Sequence, residues 1–443
     1  MTHATPPTAT PGSHRTTFAK SFTQQEPLPE AAIDAAVAVM RSGRLHRYNT
    51  GEGEVAQAAL LETEFARWLG VPYCLACASG GYAIHIALRT LALAPGAPVL
   101  CNGWTLSPVP GAIVNAGASV VLVETGADLT IDCDDLARAA GETGARVLVL
   151  SHMRGHIGDM DRIVELCARH GIRLVEDCAH TMGARWKGRA SGTFGEVACF
   201  STQTYKHVNS GEGGLLVTAN EALMRRAVVL SGSYMFYDRH QAAPPAEGYA
   251  DVRLDTPNLS GRIDNLRAAI LRPQLAGLEA SCERWNHRYR LLEGGLRRID
   301  AVRIVERPEH EQFVGSSIQF LLPGLDAARI ARFVAIAARR GVPVKWFGAD
   351  EPAGYTSRYD SWRYLGDSRP LPATRALLSR LCDIRIPLTF DDADCACITA
   401  VIAESLVDSF ADAPADAPAA SPATSPAGAA PARPSGQDGR QPV

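Results

Sequence analysis

Long apolar runs are missing from this chain. No stretch approaches the roughly 18 residues that span a bilayer, and Met1 to Lys20 is polar, without the apolar centre of a signal peptide. Charge of one sign is not in excess either: 21% of residues are charged and the formal net charge is -3, which suggests neither a nucleic-acid nor a membrane surface. The eleven cysteines lack metal spacing. Cys74-Leu75-Ala76-Cys77 alone resembles a zinc half-site, and no second pair or His-x-His partner lies at zinc-finger distance. That stretch reads as a strand, on which residues three apart face opposite sides, so its two sulfurs diverge. The cysteines therefore read as small core residues, kept reduced in a cytoplasmic protein that needs no metal.

What is present is material for a large core. A chain of 443 residues, 46% of them hydrophobic, is expected to form more than one domain. Residues 1–20 are rich in Thr, Pro and Ser, and 411–443 form an Ala/Pro/Ser/Asp string; both are expected to be disordered tails. Between them, Val147 to Leu150 and Arg173 to Val175 read as buried strands around a helix over Met160 to His170, with apolar residues at Ile163, Val164 and Cys167. Repeated strand-helix-strand units imply a doubly wound, mostly parallel sheet covered by helices, here over 21–285. A smaller C-terminal α/β domain is expected over 286–410, with Ser317 to Leu322 and Val342 to Trp346 as strands around a helix from Ala327 to Arg340.

The chemistry concentrates in Val175-Glu176-Asp177-Cys178-Ala179-His180, followed by Phe200-Ser201-Thr202-Gln203-Thr204-Tyr205-Lys206 and Gly211-Glu212-Gly213-Gly214. Pyridoxal phosphate acts as an electron sink when a carboxylate keeps its pyridine nitrogen protonated and a lysine holds its aldehyde as a Schiff base. Asp177, just past a strand in a parallel sheet, and Lys206, in a stretch of Phe, Ser, Thr, Tyr and Gly where a free ammonium would be costly, are the candidates for those two jobs. Ser79-Gly80-Gly81 should be a turn entering a helix, whose free N–H groups hold a phosphate.

Taken together, these segments resemble the DegT/StrS-type sugar aminotransferases, which are fold-type I pyridoxal phosphate enzymes. Gly158-Asp159-Met160-Asp161, Leu266-Arg267-Ala268-Ala269-Ile270 and Gln274-Leu275 follow in the family's order, from roughly Leu28 to Leu406. The resemblance implies a homodimer with shared active sites, His180 against the cofactor's phenolic oxygen, Ser201 and the Ser79 turn at its phosphate, and Ser260 of Ser260-Gly261-Arg262, or Asn258, reaching the partner's phosphate in place of the family's asparagine.

Several positions depart from the family. Gly81 replaces a threonine, Leu106 stands where an aromatic stacks on the pyridine ring, and Val344-Lys345-Trp346-Phe347-Gly348-Ala349-Asp350 replaces the His-Tyr-x-x-Leu-His stretch of relatives that act on nucleotide-linked keto sugars. The expected activity is amination of a smaller, carboxylate-bearing molecule in specialised metabolism. Lys345, Trp346, Arg358 and Arg239 are the candidate substrate residues, with Arg44, Arg47 and Arg262 as rival anchors. Three alternatives stand beside it: a lyase, cyclase or β/γ-substitution enzyme on an amino acid, a nucleotide-linked keto-sugar aminotransferase, and a non-catalytic regulator.

Overall fold

The computed structural model describes residues 15–354, 358–366 and 368–410. The expected disorder of residues 1–14 and 411–443 concerns segments outside them. Among the described residues no helix is long and apolar enough to cross a membrane.

Five short strands lead the chain into its main sheet: β1 (Tyr73–Cys77), β2 (Pro98–Asn102), β3 (Ser119–Val123), β4 (Val147–Ser151) and β5 (Arg173–Asp177). A two-residue hairpin, β6 (Arg185–Trp186) and β7 (Arg189–Ala190), intervenes before β8 (Val197–Ser201) and β9 (Gly214–Thr218) complete it. The strand order is β1-β9-β8-β5-β4-β2-β3. Pairings from β3 through β2, β4 and β5 to β8 are parallel, whereas β9 is antiparallel to both β8 and β1. Six strands therefore end at the same edge, and β9 begins there.

Alternation within the strands explains the layers. After α1 (Glu30–Ser42) and α2 (Gln57–Leu69) comes α3 (Gly80–Thr90), whose Ile84 and Ile86 pack with Val147 and Val149 on one face, while Leu148 and Leu150 pack on the other with Ile163 and Leu166 of the helix Met160–His170. This is the doubly wound, mostly parallel arrangement that the apolar runs predict. Cys77 and Cys74 fall into different cores on the two faces, as strand geometry requires, and both thiols are buried and free.

A second sheet comprises β10 (Arg303–Ile304), β12 (Ser317–Leu321), β13 (Lys345–Trp346) and β14 (Leu381–Arg385), in the order β10-β12-β14-β13, all antiparallel. A further strand, β11 (Glu311–Gln312), joins β6 instead. The strand expected over Val342 to Trp346 shrinks to Lys345–Trp346, because Pro343 has no N–H and Val344 N–H turns back to the carbonyl of Val342 at 2.9 Å. The boundary expected at 286 lies inside the helix Leu278–Leu296, and one apolar core runs from Leu148 and Leu174 to Ile318, Phe333 and Leu406.

The N-terminal expectation also needs correcting for residues 15–20. Phe18 is buried against Phe22 and Phe390, its N–H bonds to the carbonyl of Arg340, and Thr16 binds Glu404 through both N–H and hydroxyl. A polar composition hid one buried ring.

Candidate active site

The shared carboxyl edge of the main sheet carries a cavity of about 480 Å³. β1 leads into it through Ser79, β2 through Leu106, β4 through Ser151 and Arg154, β5 through Asp177 and His180, and β8 through Ser201 and Lys206. Such convergence is what parallel sheets offer, because loops leaving neighbouring strands splay apart over a common edge.

Asp177 ends β5 opposite Ser151 of β4. Its Oδ2 accepts from the Ser151 hydroxyl at 2.8 Å and its Oδ1 from the N–H of Ala179 at 3.1 Å, and the Thr105 hydroxyl donates to Ser151 at 2.8 Å. These contacts fix the carboxylate's plane. Glu176, next in the chain, points the other way: it is wholly buried and receives the N–H groups of Gly192, Phe194 and Gly195, so its charge serves the fold.

Lys206 lies in the loop after β8, with Nζ 3.1 Å from Nε2 of His180. Burial, then the charge of Arg154, lowers the lysine to about 7, despite the opposing pull of Asp177. His180 is held well below its ordinary value by burial and by Lys206 and Arg154, so its imidazole is neutral near pH 7.

The far end of the cavity is an anion cradle. Ser79 caps α3, accepting from the N–H of Tyr82 at 3.1 Å, and the first N–H groups of that helix have no intrahelical acceptor. Ser201 closes the other side. A methyl group on Gly80 would sit 2.8 Å from Cβ of Ser201, and one on Gly214 would collide with the Ser79 carbonyl oxygen, so glycine is what lets these backbones approach. A phosphate cradle, a carboxylate and a lysine of lowered basicity at one edge fit pyridoxal phosphate.

A match to the family described as DegT/DnrJ/EryC1/StrS aminotransferase covers residues 28–401. The chain belongs to that family. It is a pyridoxal phosphate-dependent aminotransferase of fold-type I. Among its relatives, L-glutamine:2-deoxy-scyllo-inosose aminotransferase of Streptomyces kanamyceticus is 29% identical over 323 residues, 71% of this chain and 74% of that protein. A UDP-N-acetyl-3-dehydro-alpha-D-glucosamine 3-aminotransferase of Acidithiobacillus ferrooxidans is 30% identical, over 58% and 68%. The 3-amino-5-hydroxybenzoate synthase of Amycolatopsis mediterranei is 30% identical over 64% and 71%. A crystal structure of 3-amino-5-hydroxybenzoic acid synthase shares the fold at a TM-score of 0.72, with 24% identity, over 87% of this chain and 99% of that one.

Of the residues singled out from sequence, Ser79, Gly80, Gly81, Leu106, Asp177, His180, Ser201 and Lys206 line the one cavity. Trp104 does not face it but packs edge-on to Phe347. Among the described residues, none of the four substrate candidates lines it. Lys345 stands 3.9 Å from Asp383, the indole N–H of Trp346 binds the carbonyl of Ser379, Arg358 is drawn to Asp350, Asp360 and the carbonyl of Gly348, and Arg239 lies over the Phe236 ring. The rival anchors are committed elsewhere too: Arg47 to Glu62, Arg44 to Glu54, and Arg262 to the Gly232 carbonyl. Ser260 meets Tyr234 and Arg262 outside the cavity of its own chain.

Sequence reasoning missed Arg154 and Arg385, the arginines that do line it. A usable signal existed for Arg154, which follows a buried parallel strand by three residues, the place where ligand-binding side chains concentrate.

Proposed function

We propose that this aminotransferase transfers an amino group to a small, carboxylate-bearing keto substrate of specialised metabolism, with pyridoxal phosphate held on Lys206. The convergence of Lys206, Asp177 and the α3 N-terminus on one cavity carries the reading. Bound there, pyridoxal phosphate supplies an electron sink beside the exchanging amine. The α3 N–H groups with Ser79 and Ser201 would hold its phosphate, Asp177 its pyridine nitrogen, and His180 its phenolic oxygen, with Leu106 as an aliphatic face. Lys206 Nζ, lowered to about 7, is a competent proton acceptor near neutral pH and would take the proton from the donor's Cα.

The substrate class is supported by three features. The cavity wall carries Arg154 and Arg385, the aromatic expected at Leu106 is absent, and the stretch Lys345 to Asp350 lacks the histidines of nucleotide-sugar relatives. The relative named a 3-amino-5-hydroxybenzoate synthase accords with an acidic product, whereas the UDP-sugar relative favours the rival reading. We also propose a homodimer with shared sites. Exposed Tyr234, Met235, Phe236, Leu254 and Leu259 support it, in the stretch that holds Arg239 and Ser260; sedimentation of a fully active monomer would remove that part.

The test is a panel run on the cofactor-loaded enzyme with glutamate or glutamine as donor, comparing keto acids and ring ketones bearing a carboxylate with nucleotide-linked keto sugars. Turnover of a carboxylated acceptor is expected. Efficient amination of a nucleotide sugar, with no response to keto acids, would overturn the substrate assignment.

A further inference from the structure

Arg154 is an unusual residue for its place. Its backbone is left-handed, at φ 54° and ψ 24°, although it is not glycine. The turn is held from outside: the N–H of His152 binds the Asp177 carbonyl at 3.1 Å, and Arg307 donates to the Gly155 carbonyl at 2.9 Å. Strain of this kind persists where surroundings impose it, and it sets the direction of the side chain. Here the side chain reaches the wall of the cavity that contains Lys206 and Asp177.

The Arg154 side chain is only 5% exposed, yet the bonding of its guanidinium is incomplete. Nη2 stands 3.2 Å from Oδ2 of Asp383, but Nε and Nη2 make no hydrogen bond and that Oδ2 accepts none. Oδ1 of Asp383 is occupied by the amide of Gln319 at 2.7 Å, and the same carboxylate also faces Lys345 at 3.9 Å. One acid is thus shared by two cations, beside Arg385 on the same wall. A buried guanidinium short of hydrogen bonds is poised for a planar anion, whose two oxygens match its fork. Arg358, Arg47 and Arg44 differ because each already has its own carboxylate.

From this geometry we infer that Arg154 receives the carboxylate of the reacting molecule and so sets specificity for carboxylated substrates. The inference rests on the reading of this cavity as the aminotransferase site. Because donor and acceptor occupy it in turn, the carboxylate could come from either, and two probes separate the sources: glutarate for a donor-like chain, benzoate for a ring acceptor.

Calorimetric titration of the cofactor-loaded enzyme with each acid, and with glutaramide and benzamide as neutral counterparts, is the experiment. The wild type should prefer at least one acid over its amide, and Arg154→Gln should weaken that acid by about 30-fold or more, the scale for losing one partner of a buried charge pair, with amide binding and cofactor retention unchanged. Arg358→Gln should leave all affinities in place. If the glutamine variant does not fold, Arg154→Lys keeps the charge without the fork and should lose part of the preference. Equal binding of acid and amide by the wild type, or an undiminished preference in the Arg154 variants, would overturn the inference. A wild type that aminates substrate yet shows no acid preference sinks Arg154 alone, whereas failure to attach pyridoxal phosphate at Lys206 sinks the reading beneath it.

Discussion

A lysine that must first bond an aldehyde and then carry protons has to be neutral near the working pH, and the surroundings of Lys206 achieve this by burial and by the charge of Arg154. Its folded-state value, about 7, lies below the 10.5 of an ordinary lysine. Between those values the unfolded chain binds more protons at this position, so stability gained here rises with pH across that window and is flat below it. The same inequality governs reactivity. The rate at which cofactor-free protein captures pyridoxal phosphate, followed by absorbance, should rise with pH and level off just above 7; a rate still climbing beyond pH 9 would contradict the environment described. Asp177 and Lys206 were legible in the sequence because an acid after a buried strand and a lysine among small and apolar residues are chemically conspicuous. Arg154 carried a similar signal, three residues past the buried strand β4, but nothing in residue order announces its left-handed backbone or its half-satisfied guanidinium. Arg358 misled for the converse reason: sequence shows an arginine but not the Asp350 and Asp360 that occupy it.

Among the elements, α3 and the two strand ends that meet it determine whether the cofactor is held. Gly80 opens the helix against Ser201, and a methyl group there would contact Ser201 Cβ at 2.8 Å and Cα at 3.2 Å. Gly80→Ala should therefore cost about 1–3 kcal/mol through overpacking and loosen phosphate binding at the same time. Denaturant midpoints, together with cofactor loss on dialysis, would show both effects, and a variant unchanged in each would deny the cradle its tight fit. The element from Met160 to His170 was readable to the residue, because Asp159 caps it, accepting from the Arg162 N–H, and Gly171 ends it at φ 62°. Short edge elements were not. β13 keeps two residues because Pro343 breaks its ladder, and Phe18 finds its core only through contacts with Arg340 and Phe390, distant in sequence.

At the scale of the molecule, the site depends on six strands ending at one edge, so that loops separated by more than a hundred residues, from Ser79 to Lys206, reach a common cavity. The apolar runs predict this sheet. They do not predict that the core continues without a break to Phe333 and Ile398 of the C-terminal half, since the helix Leu278–Leu296 crosses the expected boundary and packs on both. Whether this assembly places pyridoxal phosphate on Lys206 is decided on the intact protein by borohydride reduction of the cofactor-loaded enzyme, then digestion and mass mapping, with Lys206→Ala alongside. One phosphopyridoxyl group per chain on the peptide containing Lys206, and none in the variant, is the expected result; attachment at another lysine, or retained in Lys206→Ala, would contradict it.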